Sequence, residues 1–219
     1  MKNQKTRASA FKEAFNNLAY KYGGHKVFRD FVTMAACSLS GLSGGEHFEE
    51  RERMYLESAS HYKAEELDGF SAMMACTILA INENPEQDFL GSLYGELRLI
   101  NRSAEQYFTP YCIATLMARV ALPPLEKGKS VSDPCCGAGA LLLAAANEAK
   151  RSGMNVGTDL LFVGQDIDFV PAMMAYIQLS LMGCNAIVKV GDSLSNPFLE
   201  GENGNNVWRT HANIRKERV

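Results

Sequence analysis

The sequence predicts an α/β protein: an all-helical N-terminal region followed by a parallel sheet of βαβ units. Three observations carry this. Short apolar runs at 129–132, 160–165 and 186–190 end in or just before Gly or Asp, as buried strands do. Helix-length apolar runs at 110–121, 138–152 and 169–182 alternate with them, at a spacing that suits right-handed crossovers. The first hundred residues instead read as helices over 11–20, 27–39, 46–60 and 67–81. Gly-Gly, Gly-Leu-Ser-Gly-Gly and Asn-Glu-Asn-Pro breaks separate them.

Taken in order, Tyr20, Tyr22, Phe31, Met34 and the stretch 70–81, with Met73 and Met74, supply apolar surface for internal packing. The mixed-charge run 46–66 reads as a solvated helix face. Thr109 and Pro110 suit the cap and first position of the next helix. Asp168 suits the N-cap of the helix that Pro171 enters. Asp192 can open an Asp-Ser turn. After it, 200–206 is polar and glycine-rich with no further strand expected. The stretch from Trp208 onward reads as a polar tail with a basic lean (Arg209, Arg215, Lys216, Arg218). These divisions give a helical region (1–100), a core (101–199) and a tail (200–219).

Composition narrows the function. The chain has 219 residues and a formal net charge of -3, so there is no global electrostatic footprint for nucleic acid, although Lys2, Lys5 and Arg7 gather at one end. The six cysteines lack Cys-x-x-Cys or Cys/His ligand spacing, which argues against zinc or a redox motif. Cys37, Cys76, Cys112 and Cys184 read as small core hydrophobes. A vicinal disulfide at Cys135-Cys136 is not expected in a reducing cytoplasm. The polar N-terminus carries no signal peptide, and no apolar run approaches a membrane span. The expected location is therefore cytoplasmic.

The chemistry concentrates at Asp133-Pro134-Cys135-Cys136-Gly137-Ala138-Gly139-Ala140-Leu141: a strand, an acidic residue, a Gly-Ala-Gly turn and an apolar helix. Such a turn brings backbone close to a bulky cofactor, with no side chain at Gly137 or Gly139 to fill its space. No Gly-x-x-x-x-Gly-Lys-Ser/Thr stretch exists, so a phosphate-cradling loop is excluded. A Gly-x-Gly-x-x-Gly loop fails because its third position is Leu142.

What remains resembles the S-adenosylmethionine loop of N6-adenine DNA methyltransferases, in particular the modification subunits of type I restriction systems. Gln106-Tyr107-Phe108-Thr109-Pro110 resembles the family segment over the methionine end of the cofactor. Gly164-Gln165-Asp166-Ile167-Asp168 resembles the segment holding the ribose hydroxyls. Gly191-Asp192-Ser193-Leu194 resembles the one whose Asp meets the adenine amine. Residues 88–95 resemble the helix leading into the Thr-Pro segment. The resemblance covers about 88–195 and implies a partial Rossmann-like class I methyltransferase sheet. It also implies a cofactor set of Tyr107, Phe108, Thr109, Pro110, Asp133, Cys135, Gly137, Gly139, Asp166, Ile167 and Asp192. The residue chemistry agrees: a carboxylate at Asp166 can accept from two hydroxyls, Asp192 from an amine, and Ile167 offers an apolar face.

One family feature is not found. The resemblance implies a polar-Pro-Pro-aromatic loop that positions the target amine and stacks on a flipped base. Leu122-Pro123-Pro124-Leu125 lacks the polar leader and the aromatic. Asn196-Pro197-Phe198 has one proline and follows Asp192 too closely for a strand to intervene. No residue is therefore assigned as catalytic, and the chain reads as a cofactor-binding half truncated before the catalytic motif. The family's first strand is central, so the strand at 129–132 is expected to leave one edge unpaired. Self-association or a docked partner is expected there. Two functions follow: the S-adenosylmethionine-binding part of an adenine-specific DNA methyltransferase, or a non-catalytic relative that regulates or docks a partner, as in a mobile element. DNA affinity by this chain alone is expected to be weak and salt-sensitive. The resemblance implies that target choice belongs to a separate specificity subunit, and a split enzyme would add a complementing methyltransferase chain.

Overall fold

A computed structural model describes residues 6–42, 47–100, 107–121 and 125–213. Gln106, the Pro123-Pro124 pair, and Lys2, Lys5, Arg215, Lys216 and Arg218 lie outside them. Four helices open the chain: α1 (Arg7–Tyr22), α2 (Gly24–Gly41), α3 (Phe48–Ser60) and α4 (Ala64–Glu83). Helix α2 is the hub, with the run from Val27 to Cys37 largely buried. Its Phe28 and Phe31 meet Phe11 of α1, the latter edge-on at 5.2 Å. Such aromatic pairs contribute beyond their area burial.

Helix α5 (Phe89–Glu96) is capped by Asp88, whose side chain accepts from Gly91 N at 2.8 Å. Then follow α6 (Tyr111–Ala121), β1 (Ser130–Asp133), α7 (Ala140–Arg151), β2 (Leu161–Asp166), α8 (Phe169–Leu181) and β3 (Ala186–Val190). β1, β2 and β3 are parallel neighbours, with Ser132 opposite Val163 and Val163 opposite Ile187. Asp168 caps α8 as its sequence suggested, accepting from Val170 N at 3.1 Å. Helix α8 is buried along nearly its whole length, wedged between the sheet and α2.

Several expectations need correction. A fourth strand, β4 (Val207–Arg209), pairs antiparallel with β3, so the stretch expected as a polar tail contributes to the sheet. Its Trp208 is buried because the Arg51 guanidinium lies 4.2 Å above the ring and Tyr176 packs beside it. The α3 face is accordingly not wholly solvated: Arg51 reaches Ser40 and the Val207 carbonyl. Cys112 is exposed on α6, and Tyr20 points into solvent with 98% of its surface accessible. Helix periodicity put both on apolar runs, but neither faces a neighbouring element. Among the described residues, the other edge of β1 is unpaired, as expected. No described helix is long and apolar enough to cross a membrane.

Candidate cofactor site

The site forms where β1, β2 and β3 end on one side of the sheet, the place where open parallel sheets hold ligands. After β1 the chain folds tightly. Asp133 accepts from Cys135 N at 3.1 Å, and Gly139 N donates to the Cys136 carbonyl at 2.8 Å. Gly137 and Gly139 adopt φ of +53° and +91°. A side chain at Gly137 would press on the Phe108 ring at 3.1 Å, and one at Gly139 on Ala175 of α8 at 3.0 Å. Positive φ and this close packing account for both glycines within the protein itself, rather than through the space a cofactor would fill.

Asp166 ties the strand ends together. Its Oδ2 accepts from Gly137 N at 2.8 Å and its Oδ1 from Asp168 N at 2.9 Å. Burial pushes its pKa up, and the two amides pull it back toward the charged form. Burial likewise raises Asp133. Asp192 goes the other way, lowered by Leu194 N and the Ser195 hydroxyl, which close the Asp-Ser turn.

A cavity of about 780 Å³ opens above these ends. Tyr107, Phe108, Cys135, Gly137, Asp166, Ile167 and Asp192 all line it, so most of the set chosen from sequence converges on one space. Asp133 instead lines an adjoining groove of about 230 Å³ between α6 and β1. Gly139 serves as the N-cap of α7, and the Pro110 carbonyl opens α6 by accepting from Ile113 and Ala114. Neither Thr109 nor Pro110 borders the cavity.

Sequence reading missed two parts of the site. Arg29 on α2 lines the cavity beside Phe169. Gln178 on α8, 1% exposed, donates to the Ala138 carbonyl at 3.0 Å and to Asp88 at 2.8 Å, and accepts from Leu90 N at 3.1 Å. That one carboxamide locks the glycine loop to α5. Arg29 carried no signal, being remote in sequence from every motif. Gln178 sat inside an apolar run that already had a sufficient reading as core.

A parallel α/β sheet with a glycine turn after its first strand and carboxylates at the next strand ends is the architecture of a methyltransferase core. Residues 86–212 match the family model described as N-6 DNA Methylase, and the chain belongs to that family. It is similar to the methylase subunit of the type I restriction enzyme MjaVII from Methanocaldococcus jannaschii, with 32% identity over 95 residues. That match covers 42% of this chain and 16% of the relative. The methylase subunit of type I restriction enzyme MjaIX from the same organism is 28% identical over 89 residues, 40% of this chain and 15% of that protein. The matched stretch thus spans about a sixth of the length of these relatives.

Proposed function

We propose that this chain provides the S-adenosyl-L-methionine-binding part of an adenine-N6-specific DNA methyltransferase of restriction-modification type, and that it is not catalytic alone. The observation that carries the reading is the convergence of Phe108, Gly137, Asp166, Ile167 and Asp192 on one cavity of about 780 Å³. Its size lies within the ordinary range for cofactor sites, roughly 300–1,000 Å³. Its donor set fits the cofactor. Asp166 keeps acceptor capacity for ribose hydroxyls, the exposed faces of Ile167 and Leu194 suit an adenine ring, and the carboxylates of Asp166, Asp168 and Asp192 suit a cationic ligand. When bound, the cofactor would supply an electrophilic methyl group on its sulfonium.

The non-catalytic part rests on Asn196. Its side-chain oxygen accepts from the buried Lys189 ammonium at 3.0 Å, and its carbonyl accepts from Gln165 at 2.8 Å, so the residue is committed to holding its own loop. The same observation favours a second reading, a regulatory or partner-docking relative that binds without methylating. On the first reading, DNA, a specificity subunit and a complementing methyltransferase chain are the partners, the last or a second copy meeting the open edge of β1.

Calorimetric titration with S-adenosylmethionine tests the proposal, with Asp166→Ala as the control. Saturable one-site binding is expected, weakened at least about tenfold by the loss of charge-assisted hydrogen bonds. No heat at millimolar cofactor would retire the cofactor reading and leave partner docking.

A further inference from the structure

We infer that Arg29, on the helical region, is the specificity residue for the carboxylate of an amino-acid-bearing nucleoside ligand. The inference rests on the cofactor reading above and extends it to α2. Among the described residues lining the cavity, Arg29 is the only basic one; the ionisable others include Asp166, Asp168 and Asp192. Its guanidinium carbon lies 5.4 Å from the centre of the Phe169 ring, and no described side chain pairs with it as a salt bridge. A planar cation lying over an aromatic face keeps its edge free for a bidentate carboxylate partner.

Placement supports the assignment. Residue 28, next to Arg29, packs against Tyr94 at 5.1 Å, and Tyr94 packs against Phe108 at 5.7 Å. Phe108 in turn covers Gly137. That chain ties α2 to the cavity wall, and Arg29, one residue further round the helix, enters the cavity over Phe169 at the start of α8. S-Adenosylmethionine carries two positive groups and a single carboxylate. The cavity's acidic residues suit the former, and its lone arginine suits the latter.

The test is calorimetry with two ligands on the full chain and on Arg29→Met. One ligand is S-adenosylmethionine. The other is decarboxylated S-adenosylmethionine, which keeps the adenosine, sulfonium and amine. Arg29→Met should weaken S-adenosylmethionine about tenfold or more and leave the decarboxylated ligand within about twofold, because a charged hydrogen bond is lost only in the first case. Arg29→Lys should recover part of the loss, as a point charge without the fork. Equal weakening of both ligands would mean that Arg29 only packs on Phe169, and would overturn the inference. Unchanged affinity for both would overturn it too, with the cofactor reading intact. No binding of either ligand by the parent chain would overturn both. Circular dichroism of each variant separates these outcomes from misfolding.

Discussion

Glu66 gathers three donors onto one carboxylate. Lys21 Nζ and Tyr22 OH each reach it at 2.7 Å, and Lys63 N at 2.9 Å closes a capping box at the start of α4. The hydrogen bond from Lys21, then those from Tyr22 and Lys63, hold its pKa down to about 2 from 4.5. Because the folded value is depressed, the stability it contributes is present above 4.5 and is lost as pH falls toward 2. Glu66→Gln should therefore lower Tm by a few degrees at neutral pH and converge with the parent as pH falls through that window. Thermal melts of both proteins across pH check this, and a constant gap down to the acid end would refute it. Asp88 carries the opposite sign: burial raises its pKa, so its contribution is greatest in acid and is lost as pH rises. Comparing parent with variant cancels that background. None of this could be read from sequence, where Glu66 closes a run of solvated charges. Its partners Lys21 and Tyr22 are 45 and 44 residues away, and only the fold brings them near.

At the scale of elements, runs with a repeated local signal were legible and isolated ones were not. β2, β3, α7 and α8 emerge from apolar length and from the Gly, Asp and Pro that bound them. β4 has three residues, too few for any period, and its partners Arg51, Tyr176 and β3 come from elsewhere in the chain. The loop between β3 and β4 shows the same dependence. Lys189 lies inside an apolar strand with its side chain 0% exposed, and its ammonium meets Glu202 at 2.7 Å, Asn196 at 3.0 Å and the Pro197 carbonyl at 3.3 Å. Glu202 is a quarter exposed. The pair is thus asymmetric. Removing the carboxylate strands a buried cation, at a cost of about 3 kcal/mol or more, whereas removing the cation leaves a carboxylate that water can reach. Glu202→Gln should cost more stability than Lys189→Met in urea melts. The reverse order would mean that the two loop acceptors, rather than Glu202, hold the charge.

At the scale of the whole molecule, the helical region and the sheet form one body, joined where α2 packs on α8 and where Gln178 clamps α5 to the glycine loop. The meeting of Asp166 and Asp192 at one cavity was legible because the motifs fix strand, turn and helix in order, whereas the turn of Asp133 toward the neighbouring groove was not. The part played by α2 in the same cavity was not, since a helix shows which face is apolar but not what that face will meet. The open edge of β1 follows from strand count and order. Its chemistry follows from register. Leu161 N donates to the Lys129 carbonyl at 3.1 Å, with Ser130 opposite Leu161. In a parallel ladder that phase turns the amides of Val131 and Asp133 toward β2, and those of Ser130 and Ser132 away from it. Both serines are exposed. Beside them α6 presents Ile113, Leu116, Met117 and Val120, all at least 44% exposed and spaced as one helical stripe. Unpaired edges of this kind favour association. Hydrogen exchange resolved to single amides reads the edge directly. In dilute isolated chain, Ser130 and Ser132 should exchange as turns do, while Val131 and Asp133 are protected along with β2. Protection of Ser132 equal to that of Val131 would mean that the edge is covered in solution. If that protection fades on dilution, the cover is a second copy of the chain; if it persists, the chain closes its own edge and the sheet is complete without a partner.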